Sequence, residues 1–383
     1  MLERKALCMF DAIETPRLIL DKSRLEANTK RFLKRADDMN IALRPHLKTS
    51  KSVDVAKIAT AGRLSGITVS TLKEAEHFAA HGFDNILLAA GITPNKFARV
   101  KAIMEQHKID LIVITDSIDV ANAAARFSEA ENCALQVLIE IDCGEHRGGL
   151  SVDNPDLLEI ARTLDQSPVA KFKGVITHAG HSYGTEDEDE VRAIAAHERQ
   201  SVLDSAQKLS AINIACDIIS VGSTPTFLLA ETFEGLTEVR CGVFVFFDLA
   251  QTSRGICSLD DIAVSVLATV IGHSRLGKAL IIDAGAFALS KDASANAFLP
   301  DAGYGYACDP VTMQRLGTLS VNGVHQEHGT IHIDDEAWYQ RLPVGSQVRI
   351  MPNHACPTAA AHDTYLVIEN GAIIAEWPRV NGW

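Results

Sequence analysis

Ala42-Leu43-Arg44-Pro45-His46-Leu47-Lys48-Thr49-Ser50-Lys51 joins an apolar run to a basic cluster, and a helix-like segment, 53–61, follows directly. A strand that carries a lysine to its C-terminal end, just ahead of a βα loop, puts it where α/β barrels keep reactive groups. Partly desolvated and beside Arg44 and His46, Lys48 would have a lowered pKa and could attack carbonyls as a free amine. The stretch therefore predicts a Schiff-base lysine instead of a solvated basic loop, provided that the surrounding chain builds a barrel.

The flanking sequence has that alternation. Upstream, 13–20 reads as a short strand, and Asp21 as the cap of a helix whose apolar positions Leu25, Phe32 and Leu33 recur at helical spacing. Downstream, β-rich runs at 66–72, 85–91, 110–116, 135–142, 172–180, 218–224 and 238–248 alternate with helix-like segments such as 72–81, 95–106, 117–130, 154–165 and 190–211. With the lysine strand these make eight βα units, which predict a (β/α)8 barrel over 13–255. No Gly-x-Gly-x-x-Gly follows the first strand to favour a dinucleotide fold. From 256 on, helical periodicity gives way to strands at 263–272, 278–284, 317–324, 346–351, 364–369 and 372–377, with Asn370-Gly371 as a hairpin turn. These predict an antiparallel β domain over 256–383, joined by residues 1–12.

Composition narrows the partners. A net charge of −13 over 383 residues argues against nucleic acid and anionic membranes, so any basic site must be local and sized for a small anion. The eight cysteines are scattered without a CxxC pair, which suits a reducing compartment. Met1–Phe10 lacks the apolar core of a signal peptide, and no run is long enough to span a bilayer, so a cytoplasmic protein is expected.

The predicted barrel mouth collects Lys48, Thr71, Asp116, Asp142, Arg147, His178, 222–226, Arg240 and Gly242. Val221-Gly222-Ser223-Thr224-Pro225-Thr226 offers small residues, hydroxyls and free N–H groups after the seventh strand, and Cys241-Gly242-Val243 a close backbone approach after the eighth. Barrel phosphate sites are commonly built there. A reactive lysine and a phosphate cradle in one mouth point to pyridoxal phosphate.

Several stretches carry a specific likeness: RPHLKT (44–49), TPRLILD (15–21), GITVSTLKEAE (66–76), EIDCGEHRGG (140–149), THAGHSY (177–183), VGSTPT (221–226) and PNHAC (352–356). Across nearly its whole length the chain resembles the D-serine dehydratase and D-threonine aldolase family, fold-type-III pyridoxal-phosphate enzymes with an alanine-racemase-like barrel. The resemblance implies that Lys48 holds the cofactor and acts as base at the substrate α-carbon. Arg147 would lie near the cofactor's phenolic oxygen and Arg240 would face its pyridine nitrogen. His178 and Tyr183 would line the ring and phosphate side, and Gly222, Ser223, Thr224, Gly242 and Val243 would cradle the phosphate. It also implies a small β-hydroxy D-amino acid as substrate and a homodimer.

His354 and Cys356, two residues apart on an expected extended segment, would point the same way and share one ion. Sulfur with nitrogen selects zinc over magnesium or calcium, and two protein ligands leave positions for water and substrate. The family resemblance puts its metal pair here, with manganese as the other metal to consider. The cysteine favours the dehydratase branch, since the aldolase branch resembles His-x-Asp. Gln326-Glu327-His328-Gly329 is expected to line or support that site, and His362 and Asp363 to be surface residues.

Dehydration gives a 2-oxo acid and ammonia; the alternatives are aldol cleavage to glycine and an aldehyde, or racemisation. Racemisation would need a second base such as Tyr304, Tyr306 or Tyr339 and would leave the metal pair without a task. A non-catalytic cofactor carrier is the remaining alternative, and the β domain with its metal pair argues against it.

Overall fold

The computed structural model describes residues 9–62 and 66–383, so most of the stretch read as lacking a signal peptide lies outside the described residues. They form two compact units, one of 30–242 with 380–383, the other of 243–379 with the residues up to 29.

The first elements are strand β1 (Arg17–Asp21) and helix α1 (Lys22–Asp38). The barrel strands follow as β2 (Ala42–Leu43), β3 (Ile67–Val69), β4 (Asn85–Gly91), β5 (Asp110–Thr115), β6 (Gln136–Ile141), β7 (Lys171–Thr177), β8 (Ile218–Val221) and β9 (Glu238–Val239). They run parallel in the order β2-β9-β8-β7-β6-β5-β4-β3. The two ends of that path meet through a bridge between His46 and Thr68, with Leu47 N donating to Thr68 O at 2.8 Å and Thr68 N to Pro45 O at 2.9 Å. The predicted eight-stranded barrel is present and closed. Helices α2 (Val53–Thr60), α3 (Leu72–Ala79), α4 (Phe97–His107), α5 (Ile118–Glu131), α6 (Asp156–Gln166), α7 (Glu188–Ser210) and α8 (Thr224–Leu229) fill the crossovers. Leu87, Ile112, Ile114, Leu138 and Ile176 pack across four neighbouring strands, each burial worth roughly 1.5–3 kcal/mol.

The strand expected over 238–248 stops at Val239. Beyond it, Val243–Val245 forms a 3-10 turn and Phe247 takes φ +51°, burying Phe244, Phe246 and Phe247 without a ladder. A short apolar run does not by itself distinguish a strand from a buried turn.

The second unit holds β10 (Val264–Ser274), β11 (Ala279–Ile282), β12 (Gly305–Cys308), β13 (Arg315–Ser320), β14 (Gly323–Val324), β15 (Gly329–His332), β16 (Gln347–Pro352), β17 (Thr364–Glu369) and β18 (Ala372–Pro378). One path runs β13-β12-β16-β10-β1-β17-β18, with β11, β15 and β14 attached through β10. The β17–β18 turn is the expected Asn370-Gly371, at φ +51° and +75°. Residues 13–29, read as the start of the barrel, belong to this unit, as do 243–255. The reason is visible in β1, whose Leu18, Ile19 and Leu20 are fully buried and which pairs antiparallel with β10 and parallel with β17. Ile19 packs with Phe10, Leu267, Leu366 and Ile368. No described helix is long and apolar enough to cross a membrane, and no disulfide joins the described cysteines.

Candidate active site

The ladder that closes the barrel sets the lysine turn. His46 N donates to Cys241 O at 2.7 Å, and the chain then turns through residues 47–50, leaving Lys48 exposed one step past the strand end. The C-terminal tail steadies this turn, because Val380 N donates to Lys51 O at 2.8 Å. Lys51 itself is paired with the fully buried Glu74 at 3.1 Å, whereas no described carboxylate pairs with Lys48.

Arg44 is not beside the lysine. Its guanidinium pairs with Glu238 at 2.8 Å and donates to Asn85 Oδ1 at 2.8 Å, and Glu238 and Asn85 are the first residues of β9 and β4. The barrel's stagger sets Arg44 level with the strand starts, opposite to the mouth. The groups electrostatically coupled to Lys48 are instead His46 and His178.

His178 follows β7. Its Nδ1 donates to Gly222 O, and its ring lies near Tyr183, centroids 6.5 Å apart. Burial, then Lys48, Arg240 and Arg147, push its pKa down to about 3 against the smaller opposing effect of the Gly222 carbonyl. His46 is driven well below the usual histidine range by burial, Lys48, Arg240 and His178. Both rings are neutral at working pH.

The loop after β8 is the cradle. Gly222 has φ +151°, and a Cβ there would lie 2.4 Å from Arg240 O. The glycine is required by its neighbour's backbone, and so is Gly242, whose Cβ would fall 2.8 Å from His46 O. At both positions the close approach is to backbone, as expected for Gly242. Ser223 caps α8, accepting from Thr226 N at 3.2 Å, and its hydroxyl also meets Ser182 and Thr226, so it is consumed internally. Thr224 differs. Its N–H donates to Tyr183 Oη at 3.2 Å, but its fully buried Oγ1 has no hydrogen-bond partner. A buried hydroxyl without a partner beside small residues at a strand end fits a phosphate oxygen. Val243 lies in the other unit, at the start of its 3-10 turn.

Two further residues shape this mouth. Arg240 is buried, with its terminal nitrogens donating to Ser220 Oγ and the carbonyls of Val221 and Thr177. Ser220 passes the chain to Glu238 and so to Arg44. Arg147 is exposed and holds Glu145 at 3.2 Å, on a loop pinned by Asp142 and by Gly149 N donating to Asp116 at 2.8 Å. Thr71 caps α3 by accepting from Glu74 N. Sequence reasoning missed Glu198 on α7, whose buried Oε1 accepts from Ala179 N at 2.9 Å and Gly222 N at 3.1 Å, tying the two loops together. A lone glutamate within a long helix gives no sequence signal of that role.

In the other unit, His354 and Cys356 do not sit on an extended segment. His354 is the N-cap of a short helix, Ala355–Ala360, with Cys356 in its first turn, where Pro357 is tolerated for want of an N–H requirement. The ring makes no capping hydrogen bond to that turn, yet ring and thiol lie within hydrogen-bonding reach. His354 Nδ1 is 2.8 Å from Asp292 Oδ2, which leaves Nε2 as the ring nitrogen open to a metal. Burial lowers the His354 pKa, but the hydrogen bonds to Asp292 and Cys356 and the charge of Asp248 outweigh it and raise it to about 11. Imidazole and thiol supported by carboxylates fit a divalent metal with open positions, although no cluster of three or more ligating side chains occurs among the described residues. The 325–328 stretch is an exposed turn between β14 and β15 whose His325 and Gln326 carbonyls accept from Ala286 and Phe287. His362, read as a surface residue, is half-buried with Nε2 3.1 Å from Ala288 O, whereas Asp363 is exposed as expected.

The comparisons with known proteins also find two regions, the first of them taking in 20–29 and 243–250 as well. Residues 20–250 match the alanine racemase N-terminal domain, and 263–368 a putative serine dehydratase domain. The chain is 41% identical over 376 residues to D-threo-3-hydroxyaspartate dehydratase of Delftia sp., covering 97% of this chain and 98% of the relative. It is 30% identical to D-serine dehydratase of Dictyostelium discoideum, covering 94% of each. A solved cysteine-to-alanine mutant of D-threo-3-hydroxyaspartate dehydratase in the metal-free form superposes with a TM-score of 0.94 at 39% identity, over 98% of this chain and 100% of that one. The chain belongs to the D-serine dehydratase family, in which an alanine-racemase-type barrel precedes a serine dehydratase domain.

Proposed function

We propose that this protein is a pyridoxal-phosphate- and divalent-metal-dependent dehydratase of β-hydroxy D-amino acids, of the 3-hydroxyaspartate or D-serine type. It removes water across the α,β-bond, and the released enamine hydrolyses to a 2-oxo acid and ammonia. The observation that carries the reading is the hydrogen-bonded His354–Cys356 pair in a chain 41% identical to an enzyme of that name.

When bound, the cofactor supplies an electron sink at the α-carbon and the metal a Lewis acid at the β-hydroxyl. Lys48 supplies the anchoring amine and is the base that takes the α-proton. Thr224 Oγ1 and the Gly222 loop bind the phosphate, Tyr183 orients that loop through Thr224 N, and Arg147 serves the phenolic oxygen. His178, neutral and held by Gly222 O, lines the ring and leaves the proton to Lys48. Arg240, its terminal nitrogens engaged by protein oxygens, would bring a fixed positive charge toward the cofactor's pyridine nitrogen. His354 Nε2 and Cys356 Sγ hold the metal, with zinc favoured by the sulfur donor.

Product analysis tests the reading with D-threo-3-hydroxyaspartate, D-serine and D-threonine, each with and without chelator. Ammonia and a 2-oxo acid, lost on chelation, are expected; glycine with an aldehyde would move the protein to aldol cleavage. The assembly that fits the resemblance is a homodimer, and an active monomer by light scattering would overturn it.

A further inference from the structure

We propose that Asp292 is the positioning residue of the metal pair: it fixes which nitrogen of His354 meets the metal and strengthens that nitrogen as a donor. The inference rests on the metal-dependent reading above.

Three contacts hold His354, and they do different jobs. Asn353, fully buried, uses its side chain to accept from Ala295 N at 2.9 Å and to donate to Gly303 O at 2.7 Å and Asn296 Oδ1 at 2.8 Å, while its carbonyl takes Ala250 N. That locks the backbone just before the histidine. Asp248, also fully buried, spends one oxygen on Gln251 N and the other on Ala355 N, each within 2.9 Å. That locks the backbone just after it. Neither touches the imidazole.

The ring's own torsion is left to Asp292. Its Oδ1 accepts from Ser294 N at 2.8 Å, which orients the carboxylate, and Oδ2 meets His354 Nδ1 at 2.8 Å. Both side chains are about one-third exposed, so the contact is not needed to fill a core. Arg254, which contributes to the field on Asp292 and Asp248, donates to Ala250 O and to the Ser294 backbone. One carboxylate oxygen of Asp292 is directed at the imidazole. A carboxylate on Nδ1–H leaves the Nε2 lone pair for a cation and makes it more basic toward one.

The test is zinc affinity of the cofactor-loaded protein by chelator competition, read beside metal content and the unfolding midpoint of metal-free protein. Asp292→Ala should weaken zinc binding by about 10–100-fold and Asp292→Asn by less, since its amide oxygen still accepts from Nδ1–H. Cofactor absorbance should stay at the wild-type value, and the metal-free midpoint should fall only slightly, by the loss of the partly exposed Asp292–His354 pair. In a His354→Ala background, Asp292→Ala should change zinc affinity no further, because it acts through the ring. Unchanged zinc affinity in Asp292→Ala, with wild-type protein binding zinc normally, overturns the inference alone. An equal loss in the His354→Ala background overturns it too, by making Asp292 a ligand or a structural prop. Wild-type protein that binds no divalent metal overturns the inference together with the reading it rests on.

Discussion

Two histidines report opposite surroundings. His178 in the barrel unit is pushed down to about 3, and His354 in the β unit is raised to about 11. Both lose solvation. The difference is their company: His178 has Lys48, Arg240 and Arg147 around it and only a carbonyl to donate to, whereas His354 has Asp292, Asp248 and a thiol. The barrel mouth is built to receive negative charge, and its histidines stay neutral so as not to compete with the lysine. The β-unit pair is built to receive positive charge, and without a metal a proton takes that part. Each region's electrostatics names the sign of its ligand before the ligand's identity is known.

The sharpest way to break this contrast is to remove each region's central group. Lys48→Ala should lower turnover by about 10²–10⁴-fold or more while leaving metal content intact. His354→Ala should abolish chelator-sensitive turnover while leaving the cofactor absorbance intact; loss of both ligands in either variant would mean the two regions do not act separately. Product assays, absorption spectra and metal analysis decide. Next is the glycine that shapes the cradle. Gly222→Ala, forced against Arg240 O at φ +151°, should cost roughly 1–3 kcal/mol in denaturant unfolding and weaken cofactor binding without touching metal affinity.

The smallest effects are in the pH dependence of metal-free stability, and they should have opposite signs. His178 binds fewer protons folded than unfolded between its folded pKa of about 3 and the ordinary 6.5. It therefore adds stability that is full above 6.5 and is lost as pH falls toward 3. His354 binds more protons folded between 6.5 and about 11, so its contribution is full below 6.5 and is lost as pH rises toward 11. His178→Gln should flatten the acid limb and His354→Gln the alkaline limb of a stability profile. Slopes of the same sign would refute the contrast. Zinc affinity should rise with pH over the same alkaline range, because the metal must displace the His354 proton.

The barrel was legible because each strand ends in an apolar run with its chemistry at fixed spacing, so Lys48, His178 and Thr224 could be read one loop at a time. The groups that the reading missed all act across the chain. Glu198 ties two loops from a distant helix, Asp292 meets His354 from 62 residues away, and Arg44 follows the barrel's stagger to Glu238. Local pattern also misjudged 238–248 and 354–356, where a turn and a helix cap replaced extended chain, since neither apolar character nor i, i+2 spacing specifies φ and ψ. The pair at His354 and Cys356 met by a different geometry from the one expected.

The placement of β1 bears on the order in which the chain assembles. β1 is made first yet sits between β10 and β17, so Asp21 N finds Ala263 O only 242 positions later, and its parallel neighbour comes nearly at the chain's end. The contiguous barrel strands can close as soon as β9 emerges from the ribosome, but the sheet that carries His354 must keep an apolar edge waiting throughout. Contacts of such long sequence separation form slowly and leave unpaired edges exposed. During synthesis the barrel strands would therefore pair before the metal region forms, and a chain interrupted between β9 and β16 would hold a closed barrel without the Val380 contact at Lys51, together with an aggregation-prone strand.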